Sequence, residues 1–179
     1  PPVRADTPEA RVVRCEIICR NTRMGRIVCV ANQKGGVGKT TTASNVAAGL
    51  AKAGMQTLLV DLDPQCNATT GLGGLPAATH PLVSEAVLGE NVVSTTVTNL
   101  SLLPGSRSVR DVERIAEQAR AGSMVLSNHL SCGLNAWDYC LIDCPPSLGE
   151  LTRTALAGST EVLMPIQCEY FALEGLTQM

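Results

Sequence analysis

Lys34-Gly-Gly-Val-Gly-Lys-Thr40 lies between two segments of different period. Before it, Ile27-Val-Cys-Val-Ala31 is a short apolar run that reads as a buried strand. After it, Lys39 to Ala53 places Ala43, Val46, Ala47, Leu50 and Ala51 on one apolar helix face, and Gly54 follows as a helix stop. Strand, glycine-rich loop and helix in that order leave few folds open. Glycines at 35, 36 and 38 let the backbone turn its N–H groups inward as an anion nest, to which a helix N-terminus adds partial positive charge. Lys39 brings a full charge, and the Thr40 hydroxyl suits a Mg2+ shell beside a phosphate. The stretch therefore reads as a cradle for a nucleoside triphosphate, with Lys34, Gly35, Gly36, Val37, Gly38, Lys39, Thr40 and Thr41 as its nucleotide-binding residues.

The carboxylates that such a cradle needs stand at the ends of two further apolar runs. Gln56-Thr-Leu-Leu-Val-Asp61 leads to Asp63-Pro-Gln65, and Asp138-Tyr-Cys-Leu-Ile-Asp143 leads to Cys144-Pro-Pro146. A strand, crossover helix and strand form a right-handed parallel unit, whose functional groups gather at the strands' carboxyl ends. Asp63 is thus expected near the phosphates if the first two strands are neighbours. A lone aspartate at a strand end is usually a turn former. Behind a phosphate loop, Asp143 reads better as a Mg2+ partner through water, because Mg2+ keeps much of its hydration shell.

Hydrophobic residues make up 45% of the 179-residue chain but aromatic ones only 2%, so the core must be aliphatic. That suits a parallel sheet covered by helices on both faces, here a P-loop three-layer α/β/α sandwich. Five strands are read: the three above, Asn99–Pro104 and Glu161–Ile166. Helices are expected over 81–88, from a Ser108-x-x-Asp111 capping box to about Ala121, over 124–130, over Leu151–Ala157, and from Ala172 onward. Asn67 to Pro81 reads as loop with a short helical turn.

A net charge of −2 gives no nucleic-acid signature, and no run approaches the ~18 apolar residues of a membrane span. None of the eight cysteines forms a Cys-x-x-Cys pair, and a nucleotide-binding α/β chain is expected in the cytosol with its thiols reduced. Residues 1–23 carry five arginines and three acids without a signal-peptide pattern. They read as a disordered or non-native extension ahead of a P-loop domain over 24–179, with a basic tail touching DNA or lipid as the other possibility.

Lys34-Gly-Gly-Val-Gly-Lys-Thr40 departs from the usual phosphate-loop pattern, since Gln33 stands where a glycine belongs and Lys34 opens the loop. Taken alone, Lys34 would be an ordinary solvated charge. In this setting the stretch resembles the deviant Walker A motif of the ParA/MinD ATPases. Val60-Asp-Leu-Asp-Pro-Gln-Cys-Asn-Ala-Thr69, Leu141-Ile-Asp-Cys-Pro-Pro-Ser147 and Pro165-Ile-Gln-Cys-Glu-Tyr-Phe-Ala-Leu-Glu-Gly175 narrow the resemblance to the ParA/Soj partition branch. It runs from about Arg26 to the last residue and is weak between Gly74 and Leu134.

The resemblance implies an ATP hydrolase, weak and partner-stimulated, with ATP and Mg2+ as cofactors. Lys34, Lys39 and Asp63 would be catalytic: Lys39 on β- and γ-phosphate charge, Asp63 on the attacking water, Lys34 in trans on the nucleotide of the other subunit. Thr40 and Asp143, the latter through water, would hold the metal. Also implied are a homodimer formed on ATP binding, a ParB-like stimulator, nonspecific DNA, and a cytoplasmic, nucleoid-associated location for chromosome or plasmid segregation. Family members continue beyond this length, so the chain is expected to be a C-terminally incomplete piece. At Cys66 the family usually has glycine, and a positive φ there would strain a cysteine.

Other readings stay open. A MinD-like membrane switch needs a C-terminal amphipathic helix. An iron-protein type of cluster carrier would need Cys132 or Cys144 at a dimer interface. A regulator could bind nucleotide and DNA without turnover.

Overall fold

The computed structural model of the protein describes residues 25–81, 88–111 and 136–167. The readings for residues 1–23, for helices over 82–87 and 112–121, over 124–130 and from Ala172 onward, and for Cys132, lie outside these residues.

Six strands form one sheet in the order β3-β4-β2-β5-β1-β6. In chain order these are β1 (Arg26–Val30), β2 (Thr57–Asp61), β3 (Val93–Ser94), β4 (Leu100–Leu103), β5 (Tyr139–Asp143) and β6 (Glu161–Leu163). Every pairing is parallel except β3 with β4. The helices are α1 (Lys39–Lys52), α2 (Asn67–Gly71) and α3 (Glu150–Ala157), with a 3-10 turn over Leu88–Asn91.

The two faces of the sheet are covered by different helices, as a buried parallel sheet requires. On one face Val30, Leu59, Leu100, Leu102 and Leu141 pack against Ala43, Ala47 and Ala51 of α1. On the other, Cys29, Leu58, Val60, Leu103, Cys140, Ile142 and Cys144 pack against Ala155 of α3, with Trp137 and Leu156 at the margin. The result is the three-layer α/β/α sandwich with a mostly parallel sheet expected from the aliphatic composition.

Three details differ from the sequence reading. First, β1 and β2 are not neighbours, because β5 lies between them and pairs with both. Asp63 still reaches the site, since β2 and β5 end level, with Asp61 paired to Asp143. Second, Val93–Ser94 is a strand too short to carry an alternating pattern. Third, the buried stripe of α1 is narrower than read: Ala43, Ala47 and Ala51 are at most 1% exposed, whereas Val46 is 38% exposed and Leu50 half-buried. Alanines at i, i+4 and i+8 bring the helix axis close to the sheet, which leaves flanking side chains outside.

The four cysteines among the described residues behave as core residues. Cys29, Cys66, Cys140 and Cys144 are buried, and the Sγ atoms of Cys29 and Cys144 lie 3.4 Å apart. Among the described residues, no helix is long and apolar enough to cross a membrane, and no group of three or more His, Cys, Asp or Glu side chains gathers as a metal site.

Candidate active site

The glycine loop leaves β1 and enters α1 through two left-handed residues. Gly36 has φ 76°, and Gly38, the N-cap of α1, has φ 86° and ψ 24°. A Cβ at either glycine would meet nothing within 4 Å, so glycine is needed there for backbone conformation and not for room. No side chain caps α1 and no acid stands in its first turn, which leaves its N-terminal amide charge for a ligand.

Lys39 opens α1 and is only 7% exposed. Its Nζ donates to the Lys34 carbonyl at 3.2 Å, drawing the side chain back over the loop. Burial pushes the Lys39 ammonium below its ordinary value, while the nearby carboxylates of Asp143 and Asp63 pull it upward. Two residues supporting the loop escaped the sequence reading. Asn32 accepts from the Lys34 N–H at 2.9 Å through its side-chain oxygen and donates through Nδ2 to the Pro165 carbonyl at 2.8 Å. Gln167 Nε2 donates to the Gly36 carbonyl at 3.2 Å. The segment after β6 thus buttresses the mouth of the loop, a contact between residues more than 130 positions apart that no local pattern reveals.

Asp143 ends β5 fully buried, and neither of its carboxylate oxygens has a hydrogen-bond partner of good geometry. Burial pushes its carboxyl up to about 7; the nearby Thr40 hydroxyl favours the charged form, the Asp61 and Asp63 carboxylates oppose it, and Lys39 assists it more weakly. A buried oxygen pair without a donor is costly unless something binds it. A cation beside Thr40 and Asp143 fits that requirement, and this donor set of hydroxyl and carboxylate oxygens suits Mg2+.

Asp63 is 7% exposed, two residues past the end of β2. Its Oδ1 accepts from the Gln65 N–H at 2.8 Å, and its own N–H donates to Asp61 Oδ1 at 3.2 Å. It lines a cleft of about 370 Å³ with Pro64, Gln65, Arg110, Pro145, Pro146 and Ser147. The structure therefore gathers Lys39, Asp63 and Asp143 at one end of the sheet, with Thr40 beside Asp143 and Lys34 at the loop mouth.

The model of the AAA domain family matches residues 25–179. The chain belongs to the AAA domain family. Proteins of the partition branch read from the sequence are among those it is similar to. The sporulation initiation inhibitor protein Soj of Bacillus subtilis is 45% identical over 161 residues, covering 87% of this chain and 64% of Soj. The chromosome-partitioning ATPase Soj of Treponema pallidum is 48% identical over 158 residues, covering 86% and 62%. Among solved structures, cobyrinic acid a,c-diamide synthase from Mycobacterium smegmatis with bound ATP analog and magnesium superposes with a TM-score of 0.80 at 36% identity, covering 87% of this chain and 65% of that one. The chain thus spans somewhat less than two thirds of the length of the relatives it matches.

For an AAA domain family chain, one local conflict stands out. Cys66, the N-cap of α2, has φ 56° and ψ 35°, so the condition under which cysteine would be strained is met. A left-handed non-glycine residue costs about 1 kcal/mol, partly offset here by burial of the thiol.

The raised carboxyl of Asp143 also makes stability depend on pH. The folded, ligand-free protein holds this proton more tightly than the unfolded chain. Its stabilising contribution is complete below the ordinary value of 3.8, drains as pH rises, and is gone above about 7. In urea titrations across that window, wild type is expected to lose stability relative to Asp143→Asn by up to ~1.4 kcal/mol per pH unit. Parallel pH profiles would contradict the assignment.

Proposed function

We propose that residues 24–179 form a ParA/Soj-type ATPase domain that binds MgATP, dimerises on ATP and drives chromosome or plasmid segregation with a ParB-like partner on nonspecific DNA. The observation that carries this reading is the meeting of one buried ammonium, Lys39, with the carboxylates of Asp63 and Asp143 under an uncapped helix N-terminus. Such a constellation fits a polyanion together with a divalent cation, and MgATP brings both. Its relative in Treponema pallidum is a chromosome-partitioning ATPase, and the synthase of similar fold carries an ATP analog with magnesium, which supports the reading.

Phosphoryl transfer needs positioning and charge neutralisation more than covalent help from the protein. In this reading the residues divide that work. The loop amides and Lys39 hold the β- and γ-phosphates, and Asp63 orients the attacking water. Thr40 and, through water, Asp143 would hold Mg2+, which when bound would neutralise phosphate charge. Lys34 stands at the loop mouth with its backbone held by Asn32, and in this reading its side chain serves the nucleotide of a second copy. A charge delivered only across a dimer couples hydrolysis to assembly, so ATP becomes a switch whose on state is the dimer.

Lys39→Ala is expected to weaken MgATP binding at least about a hundredfold, because it removes the cation that meets the phosphates in a nearly dry site. Calorimetric titration checks this, and equal affinity in the two proteins would sink the reading. Lys34→Ala is expected to keep MgATP affinity within about threefold and to lose ATP-dependent dimerisation. An unchanged dimer fraction in sedimentation velocity with ATP would remove its role in trans.

A further inference from the structure

Asp61 is fully buried at the end of β2, yet it is not part of the phosphate cradle. Its carboxylate collects three hydrogen bonds. Oδ1 accepts from the Asp63 N–H at 3.2 Å, and Oδ2 accepts from both the N–H and the hydroxyl of Thr69, at 2.8 and 2.7 Å. The Thr69 hydroxyl has one proton, given to Asp61, and its oxygen accepts from the Gly105 N–H at 2.8 Å. Thr69 is itself fully buried in α2, and Gly105 lies just past β4. A Cβ at Gly105 would stand 2.9 Å from Asp61 Cγ, so only glycine lets the β4 turn approach this carboxylate.

These bonds join three elements around one charged group. Between Asp61 and Thr69 runs the loop that carries Asp63, held near its start by the Asp63 N–H and at its end by Thr69. Cutting such a clamp frees the loop without touching the glycine loop or Lys39. We propose that Asp61, clamped by Thr69 and Gly105, is the positioning residue for Asp63: it fixes where the Asp63 carboxylate stands and touches no reactant itself. The inference rests on the reading of Asp63 as the water-orienting group.

Thr69→Val tests it, since valine keeps the buried volume but loses the hydroxyl that serves both Asp61 and Gly105. Thr69→Ser keeps the hydroxyl and is the rescue variant; Asp63→Ala is the control. The expected result is a kcat for ATP hydrolysis roughly tenfold or more below wild type in Thr69→Val, with KM for MgATP and binding affinity within about threefold of wild type. Thr69→Ser should return kcat to within about threefold. In hydrogen exchange, amides of residues 63–69 should exchange roughly tenfold or more faster in Thr69→Val, while those of 39–47 stay protected.

Wild-type exchange over 63–69 in Thr69→Val overturns the clamp. So does a wild-type kcat in Thr69→Val when Asp63→Ala has lost turnover, or a serine variant as impaired as valine. Wild-type turnover in Asp63→Ala instead overturns the underlying reading of Asp63, and the inference falls with it. If wild type itself shows no turnover, the proposed ATPase activity fails, and the exchange measurement still decides whether Asp61 clamps the loop.

Discussion

The site depends on charges held where water is scarce. Lys39, Asp61, Asp63 and Asp143 are each at most 7% exposed, and all stand at one end of a sheet whose interior is aliphatic. Three carboxylates against one ammonium would be unstable together without hydrogen bonds or further cations. Asp61 and Asp63 are met by backbone and hydroxyl donors. Asp143 has no hydrogen-bond partner of good geometry, and burial raises its carboxyl to about 7 against the pull of the nearby Thr40 hydroxyl. The architecture delivers this arrangement because β2 and β5 are parallel, adjacent and in level register, so both chains end at the same height beside the loop that leaves β1.

Much of that was legible in the residues. The glycine loop announced itself because glycines at 36 and 38 serve positive φ values that other residues resist. α1 was visible from its 3.6-residue period, and β2 and β5 from unbroken apolar runs ending in aspartate. Burial on both faces is what produces such runs, so the central strands were the easiest to read. The same logic explains what went unseen. β3 has two residues and no period. The insertion of β5 between β1 and β2 is a matter of spatial order, which chain order does not encode. The pattern puts Val46 on the buried face because it marks apolar residues, while the sheet fully buries only the alanine stripe.

The supporting residues were the hardest to foresee. Asp61 looked like the polar end of a strand, and its partners lie eight residues away in α2 and, through Thr69, at Gly105 beyond β4. Asn32 and Gln167 brace the glycine loop from opposite ends of the described chain. Such long-range hydrogen bonds carry no periodic signal. Cys66 is the reverse case: the sequence raised the question of strain, and the left-handed backbone answers it. The conflict falls at the start of α2, between Asp63 and its clamp, where functional loops commonly hold backbone that ordinary packing would not choose.

In the proposed function the buried carboxylate of Asp143, which has no hydrogen-bond partner of good geometry, manages a divalent cation beside the phosphates held by Lys39. ATP titrations with and without Mg2+, in wild type and Asp143→Asn, test it most directly. The account predicts that Mg2+ tightens ATP binding to wild type by roughly tenfold or more and that Asp143→Asn loses most of this gain while keeping its metal-free affinity. An equal Mg2+ gain in the two proteins would contradict it.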